Sequence, residues 1–463
     1  MKPVILAGGG LAGSEAAWQL AERGVPVVLY EMRPAVTTPA HKTDQLAELV
    51  CSNSLKSNTP GAASWLLKEE LRRSGSLLLR LADQNAVPGG SALAVDRERF
   101  GEAVTTALCQ HPLVSLERAE LQEVPRGNRV LIATGPLTSD PLARSLQSLT
   151  GADNLAFYDS ISPIVDADTL NHDRIFEASR YGKGGEDYLN CPLDEAEYRV
   201  FYEALMGAES VQAHAFEDLN YFESCLPIEE LARRGVDTLR FGPMKPVGLI
   251  DPKTGRQPYA VVQLRAENLR YSSYNLVGFQ NHLKFPEQKR ILRMIPGLEN
   301  AEFLRYGQIH RNTYLNAPRL LAADLSLRGL PDVFVAGQLS GVEGYAECIA
   351  TGLLAGTALA ARALNQAFSP PPRTTALGSL THYVTHAESG GYQPTNISFD
   401  LLPPAENLPR VVMRDRSRRR AWQCERALAA LERWRDGQLS VVKGAWFFEK
   451  AAARTHRQLT TDR

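Results

Sequence analysis

"PVILAGGGLAGSEAAWQLAERGVPVVLYE", residues 3–31, decides the fold. "VILA" reads as a short buried strand, "SEAAWQLAER" as a helix stopped by Gly24, and "PVVLYE" as a second buried strand. Strand, helix and strand in so short a stretch make a parallel βαβ unit. Its first turn carries Gly8-x-Gly10-x-x-Gly13. Gly8 permits the tight turn, Gly10 lets backbone approach a pyrophosphate, and Gly13 lets helix and strand pack closely. Gly8, Gly9, Gly10, Leu11, Ala12 and Gly13 together set a helix N-terminus against phosphates. Glu31 ends the second strand, where a carboxylate binds ribose hydroxyls and disfavours a 2′-phosphate. FAD or NAD therefore fits this site better than NADP.

Two later stretches, "RVLIATG" (129–135) and "DVFVAGQ" (332–338), also read as buried strands ending in small residues. The second opens "VFVAGQLSGVEGYAECIATGLLAG" (333–356), a strand, a glycine-rich turn and a helix. A second glycine element of this kind favours FAD, with Gly337, Gln338, Gly344 and Tyr345 as contacts. The competing reading is a Gly/Ala helix used only for tight packing. Between about 159 and 312 the chain turns rich in Tyr, Arg, Gly and Pro, as an inserted domain would. "SPPPR" (369–373) reads as a rigid linker. "RSRRRAWQCERALAALERW" (416–434) reads as a basic amphipathic helix.

The 463 residues are 44% apolar and 22% charged, ordinary for a globular protein with two or three domains. A net charge of -1 provides no global positive field, so a polyanion must be held by local patches. The cluster Arg414, Arg416, Arg418, Arg419 and Arg420 is one candidate, with a solvated helix face as the alternative. The six cysteines, at 51, 109, 191, 225, 348 and 424, form no C-x-x-C pair and no zinc spacing. Free thiols in a reducing, cytoplasmic setting are the expectation. Glycines and Glu15 interrupt any signal-peptide core near the N-terminus, and no run approaches the roughly 20 apolar residues of a membrane helix.

One cysteine stands out. In "ELVCSNSLKSN" (48–58), Cys51 is followed by Ser52, Asn53 and Ser54, a setting for a reactive thiolate or a ligand contact and not for an apolar filler. "GGGLAGSEAAWQLAERGVPVVLYEMRP", "HKTDQLAELVCSNSLKSN", "DYLNCPLDEAEYRVFYEAL", "FESCLPIEELARRG", "FGPMKPVGL", "NLVGFQNHLKFPEQKR" and "GQLSGVEGYAE" together resemble the folate- and FAD-dependent tRNA uracil-5 methyltransferases. The likeness runs from residue 1 to about 435, and the tail from Gly437 lies beyond it.

That resemblance implies an α/β fold. An FAD-binding Rossmann-type, glutathione-reductase-like domain (1–158 and 313–365) would carry an inserted mixed α/β domain (159–312) and a helical C-terminal segment (366–463). It implies FAD, 5,10-methylenetetrahydrofolate and NADH or NADPH as cofactors, and the T-loop of tRNA as substrate, converted to 5-methyluridine. Uracil C5 becomes nucleophilic only when something adds at C6, and a thiolate is the natural adduct former. The family's two cysteines correspond to Cys225, expected to attack C6, and Cys51, expected beside the flavin. His310 is a candidate to stack on the pterin, Tyr345 to lie over the flavin ring, and Arg311 and Lys284 to meet folate or tRNA; Lys56 and Lys245 are further basic candidates. Cys109, Cys191, Cys348 and Cys424, and the pair His382 and His386, are expected to be structural. Two alternatives stay open: a flavoprotein modifying the tRNA wobble uridine, and a flavin-containing protein that binds or folds tRNA.

Overall fold

The computed structural model describes residues 1–38, 40–151, 155–160, 162–182, 185–211, 226–307, 309–390, 392–404 and 415–441, with side chains except at 155–160, 309–313 and 438–441. The opening stretch forms strand Val4–Ala7, helix Leu11–Ala21 and strand Val27–Tyr30. These strands sit in a six-stranded sheet ordered Ser326–Leu327, Leu330–Val335, Val130–Ile132, Val4–Ala7, Val27–Tyr30, Val114–Glu117. All neighbours are parallel except the edge hairpin Ser326–Leu327/Leu330–Val335. The inner strands read as continuous apolar runs because helices cover both faces.

Helix Tyr345–Ala363 returns the chain from residue 335 onto helix Leu11–Ala21. Glycines make the approach possible. A Cβ on Gly352 would stand 2.3 Å from the Ala12 carbonyl oxygen, and one on Gly356 would stand 2.8 Å from the Ala16 Cα. Gly13 does the same against the first turn, where a Cβ would meet the Gly8 carbonyl oxygen at 1.9 Å. The packing reading of the Gly/Ala helix is therefore correct for Gly352 and Gly356, and that packing carries Gly337 and Tyr345 to the first glycine turn.

A second six-stranded sheet is antiparallel and ordered Phe176–Glu177, Tyr188–Leu193, Ala260–Ala266, Ser273–Leu276, Ile164–Asp166, Phe303–Arg305. It has its own core, including Leu189, Tyr198, Phe201, Val262, Leu264 and Phe279. The first sheet's core draws on both ends of the chain, from Val4 to Leu146 and from Tyr314 to Leu431. The chain crosses between the two regions in one paired ribbon, Leu155–Ser160 against Ile309–Tyr314.

Two buried carboxylates organise the helical layer. Glu15 accepts from Ser76 Oγ (2.7 Å) and Leu78 N (3.1 Å), capping helix Leu77–Gln84; burial pushes its carboxyl up. Glu70 accepts from Ala376 N (2.7 Å) and Leu377 N (2.8 Å) at the start of helix Ala376–His386, and burial pushes it up to about 8. The "SPPPR" stretch differs from the rigid spacer expected of it. Pro372 O accepts from Thr375, and Ser369 O accepts the Trp434 indole N–H at 2.7 Å, so the stretch is packed as a helix cap. Helix Arg416–Val441 buries Cys424, Ala427 and Leu431 in the first core. Among the described residues no helix is long and apolar enough to cross a membrane.

The helix contact yields a stability prediction. Gly352→Ala should destabilise the protein despite a helix-propensity gain of about 1 kcal/mol. The overlapped atom is backbone and cannot swing away, so an overpacking cost near the top of the usual range, about 3 kcal/mol, is expected. A denaturant midpoint equal to that of the unsubstituted protein would refute the close packing.

Candidate active site

The C-terminal ends of four parallel strands open into a cleft of about 1070 Å³, solvent at its mouth included. Ala7, Gly8, Gly10, Leu11, Ala12, Glu31, Ala133, Gly337, Gln338 and Tyr345 all border it, so the two glycine elements meet there. The glycines divide their work as the motif predicts. Gly8 has φ +99° and abuts Ala133, and Gly13 seals helix against turn. Gly10 has nothing within 4 Å of the Cβ position. Gly10 also caps the helix without a side-chain hydrogen bond, so the first-turn amides are not satisfied by a cap. An open cradle at a helix N-terminus fits a pyrophosphate.

Glu31 is buried and fixed. Its Oε2 accepts from Gly9 N (2.9 Å) and its Oε1 from Arg33 N (3.0 Å) and Nε (2.8 Å). Burial would raise its pKa, but the Arg33 hydrogen bonds and charge hold it below the usual carboxylate range. Arg33 reaches on to Glu48 Oε2 (2.9 Å) and Thr43 O (3.1 Å), tying the ribose end of the cleft to the segment that leads to Cys51. His41 borders the same cleft with its Nδ1 2.6 Å from Thr38 Oγ1. Burial and then the Arg33 charge push it down to about 4, so it is neutral at physiological pH. Arg33, His41 and Glu48 went unnoticed as site residues in the sequence. All three lie inside stretches quoted for the resemblance, and that was their only signal.

Cys51 is half-buried on a loop held from both sheets. Tyr345 OH accepts from Cys51 N (2.8 Å) and Ser52 N (3.1 Å). Asn53 donates to Val95 O (3.1 Å) and Ala266 O (2.8 Å) and accepts from Arg265 Nε (2.8 Å). Arg265 also donates to Ser52 Oγ (2.9 Å). Arg97 donates to Leu49 O (2.6 Å) and pairs with Glu267. Lys68, buried in helix Ala63–Arg73, donates to Leu55 O and Ser57 O, both at 2.7 Å; burial pushes its ammonium down to about 7.

The charges of Arg97 and Arg305 both act on Cys51. Burial would lower Arg97, but Glu267 holds it above its ordinary value. Burial and then the Arg97 charge lower Arg305. Cys51 thus sits in an electropositive, partly exposed setting, the kind in which reactive thiols are found. Burial, and then Cys51, push Tyr345 up, keeping it a phenol.

The remaining candidates divide. Cys225 and Arg414 lie outside the described residues. His310 and Arg311 pair with Asp159 and Tyr158 in the ribbon joining the two regions; their side chains are outside the description. Lys284 is exposed and paired with Glu209 at 2.6 Å, away from the cleft lining. Lys56 reaches Glu347 at 3.3 Å behind Gly344. Cys348 borders the cleft, and burial drives its thiol, like that of Cys191, strongly up. Arg418 pairs with Asp415 and Arg420 lies over Phe399, so part of the described arginine cluster is engaged within the chain. His382 and His386 stack at 4.5 Å, and no metal-binding cluster occurs among the described residues.

Fold and cleft define an FAD-binding Rossmann-type protein with an inserted mixed α/β domain. The family model of glucose inhibited division protein A matches residues 3–367. The Aquifex aeolicus GidA structure, in its form I and form II crystals, superposes with TM-scores of 0.66 and 0.65. These likenesses cover 95% of this chain and 78% and 75% of GidA, at 16% and 15% identity, a likeness of fold. The methylenetetrahydrofolate--tRNA-(uracil-5-)-methyltransferase TrmFO of Solibacter usitatus is 61% identical over 94% of this chain and 99% of its own length. Those of Koribacter versatilis and Symbiobacterium thermophilum are 58% and 56% identical over 92% and 94% of this chain and 96% and 98% of theirs. The chain belongs to the methylenetetrahydrofolate--tRNA-(uracil-5-)-methyltransferase family.

The glycine geometry separates two substitutions that the motif alone treats alike. Gly10→Val should fold with near-native stability and purify without flavin, because its side chain enters only the cradle. Gly13→Ala should lose stability first, because its Cβ meets backbone. Flavin absorbance and thermal midpoint, measured on both, check the distinction; a flavin-replete Gly10→Val overturns the cradle.

Proposed function

We propose that this protein methylates C5 of the T-loop uridine of tRNA, taking carbon from 5,10-methylenetetrahydrofolate and electrons from NADH or NADPH. The observation that carries the reading is the Cys51 loop: a polar cysteine segment pinned by the Tyr345 hydroxyl at a dinucleotide-type cleft, with two arginines acting on the thiol, in a chain of this family. FAD, when bound, supplies the two-electron chemistry that brings a methylene unit to the methyl level.

The chain's residues do the rest. Gly8, Gly9, Gly10, Leu11, Ala12 and Gly13 bind the pyrophosphate. Glu31 takes the ribose hydroxyls with the capacity left on Oε2, while Arg33 holds Oε1. Gly337, Gln338 and Tyr345 contact the ring end, with Gly344 opening the helix that carries Tyr345. Cys225 adds as thiolate to uracil C6, which makes C5 nucleophilic. Cys51 stands beside the flavin as its reactive thiol, in the positive setting that Arg97 and Arg305 provide. His310 and Arg311 are assigned to folate, and Lys284, away from the cleft lining, to a substrate phosphate. Over one turnover C5 exchanges its proton for a methyl group, the folate becomes tetrahydrofolate, and the nicotinamide loses two electrons. The domain division at 158/159 and 312/313 belongs to this reading, with support from the ribbon in which both cuts fall.

Unmodified tRNA transcript should acquire labelled methyl from methylenetetrahydrofolate. Transcript carrying 5-fluorouridine at the target should trap the enzyme covalently, because fluorine blocks loss of the C5 substituent. Cys225→Ala should keep flavin and tRNA binding and form no adduct; an adduct that survives there and disappears in Cys51→Ala reverses the two roles. Since the chain has a single G-x-G-x-x-G, the nicotinamide has no Rossmann site of its own and shares the cleft with folate. Saturating tetrahydrofolate should therefore slow flavin reduction in stopped flow, and unchanged rates would exclude the shared cleft.

A further inference from the structure

The antiparallel sheet carries a face that the chemistry above does not use. Tyr181 is 61% exposed and Phe241 81%, with Ile250 and Val247 exposed beside them. Such large apolar side chains are usually turned inward, and here their immediate neighbours are: Leu239, Met244 and Leu249 are buried. Tyr181 is also held out at a backbone cost. Its φ is +60°, left-handed for a β-carbon-bearing residue, and its N–H donates to Gly248 O at 2.8 Å. Only glycine fits beneath its ring, since a Cβ on Gly248 would stand 2.9 Å from it. One ring face rests on Gly248 and the rest is left to solvent, as in a stacking platform.

Charge surrounds these rings. Lys245, between Phe241 and Gly248, is half-buried, and its ammonium has no hydrogen-bond or ion-pair partner among the described residues. Three acids of this region are engaged: Asp237 with Arg240, Asp251 with the turn at Lys253 and Thr254, and Asp187 with Gly90 N. Arg180 underlies the patch, donating to the carbonyls of Lys245 and Val247 and, at 2.9 Å, to Gln263 Oε1. Gln263 and Arg265 lie on the same face of strand Ala260–Ala266, about 7 Å apart, and Arg265 holds Ser52 beside Cys51. A relay of side chains, Arg180, Gln263 and Arg265, therefore links the patch to the Cys51 loop.

We propose that Tyr181, Phe241 and Lys245 form a tRNA-docking surface, the lysine meeting a backbone phosphate and the two rings stacking on unpaired bases next to the target. This rests on the tRNA reading above. A chain of net charge -1 must hold a polyanion locally, and an uncompensated ammonium between exposed aromatic rings is the chemistry that single-stranded nucleic acid recognises.

The test is equilibrium binding of unmodified tRNA transcript to the flavin-loaded protein over a range of salt concentrations. Lys245→Gln should weaken binding and lower the salt slope by about 1. Tyr181→Asn, which tolerates the left-handed backbone, and Phe241→Ser should each weaken binding about ten-fold or more with the slope unchanged. Flavin content and thermal midpoint should stay native in all three, and Tyr181→Phe should restore binding. If the unsubstituted protein binds and all three variants bind as well, this surface is refuted while the methyltransferase reading stands. If the unsubstituted protein itself fails to bind, both fall. If the aromatic substitutions change the sedimentation coefficient of the protein alone and leave tRNA binding intact, the face is an interface between copies of this chain, and the proposal is overturned.

Discussion

Everything in this protein depends on how closely helix Tyr345–Ala363 approaches helix Leu11–Ala21. Gly352 and Gly356 lie against the backbone of Ala12 and Ala16, leaving no room for a methyl group. That contact joins the two ends of the α/β region, which the chain separates by an entire second sheet. Gly337, Gln338 and Tyr345 consequently reach the cleft that Gly8, Gly10 and Glu31 begin. A looser contact would leave two half-sites. Small residues here serve geometry twice: backbone meets backbone between the helices, and backbone is left open to a phosphate at Gly10.

The second constraint is the clamp on residues 49–53. Tyr345 holds the loop from the first region; Arg265 and the Ala266 carbonyl hold it from the second. Asn53 is buried with both ends of its amide satisfied, so any shift between the sheets strands buried polar groups at about 1–3 kcal/mol each. The reactive segment is thus the joint of the molecule. Its position at a joint explains why Arg97, Arg265 and Arg305 act around it, with Glu267 as the counter-charge of the first two. The arginines are structural donors to carbonyls and amides, and their positive charge falls on Cys51 as a consequence.

The buried carboxylates show the same economy. Glu15 and Glu70 each bind the first amides of a helix that begins far away in sequence, adding a distant carboxylate to the local caps Ser76 and Thr375. They lock the helical layer around the cleft, and their raised pKa values reflect burial and not catalysis.

Much of this was legible in the sequence, for identifiable reasons. Apolar runs separated by glycines encode a βαβ unit locally, so the parallel sheet, the phosphate turn, the acid at the end of the second strand and the separate roles of Gly8, Gly10 and Gly13 could be read from residues 3–31. Cys51 stood out because its neighbours are polar, which is also a local property. Other features could not be read that way. "SPPPR" looked like a spacer because Trp434, which binds Ser369 O, lies tens of residues away, and Glu70, which caps the helix that follows, lies hundreds away. Lys284 looked like a free cation because its partner Glu209 is distant in the chain. The grip of Arg33 on Glu31, the two arginines beside Cys51, and the exposure of Tyr181 and Phe241 each depend on which surfaces meet after folding. Local composition determines elements and the chemistry they can carry. Charge pairing, burial and exposure are properties of neighbours in space, and only the tertiary structure decides those.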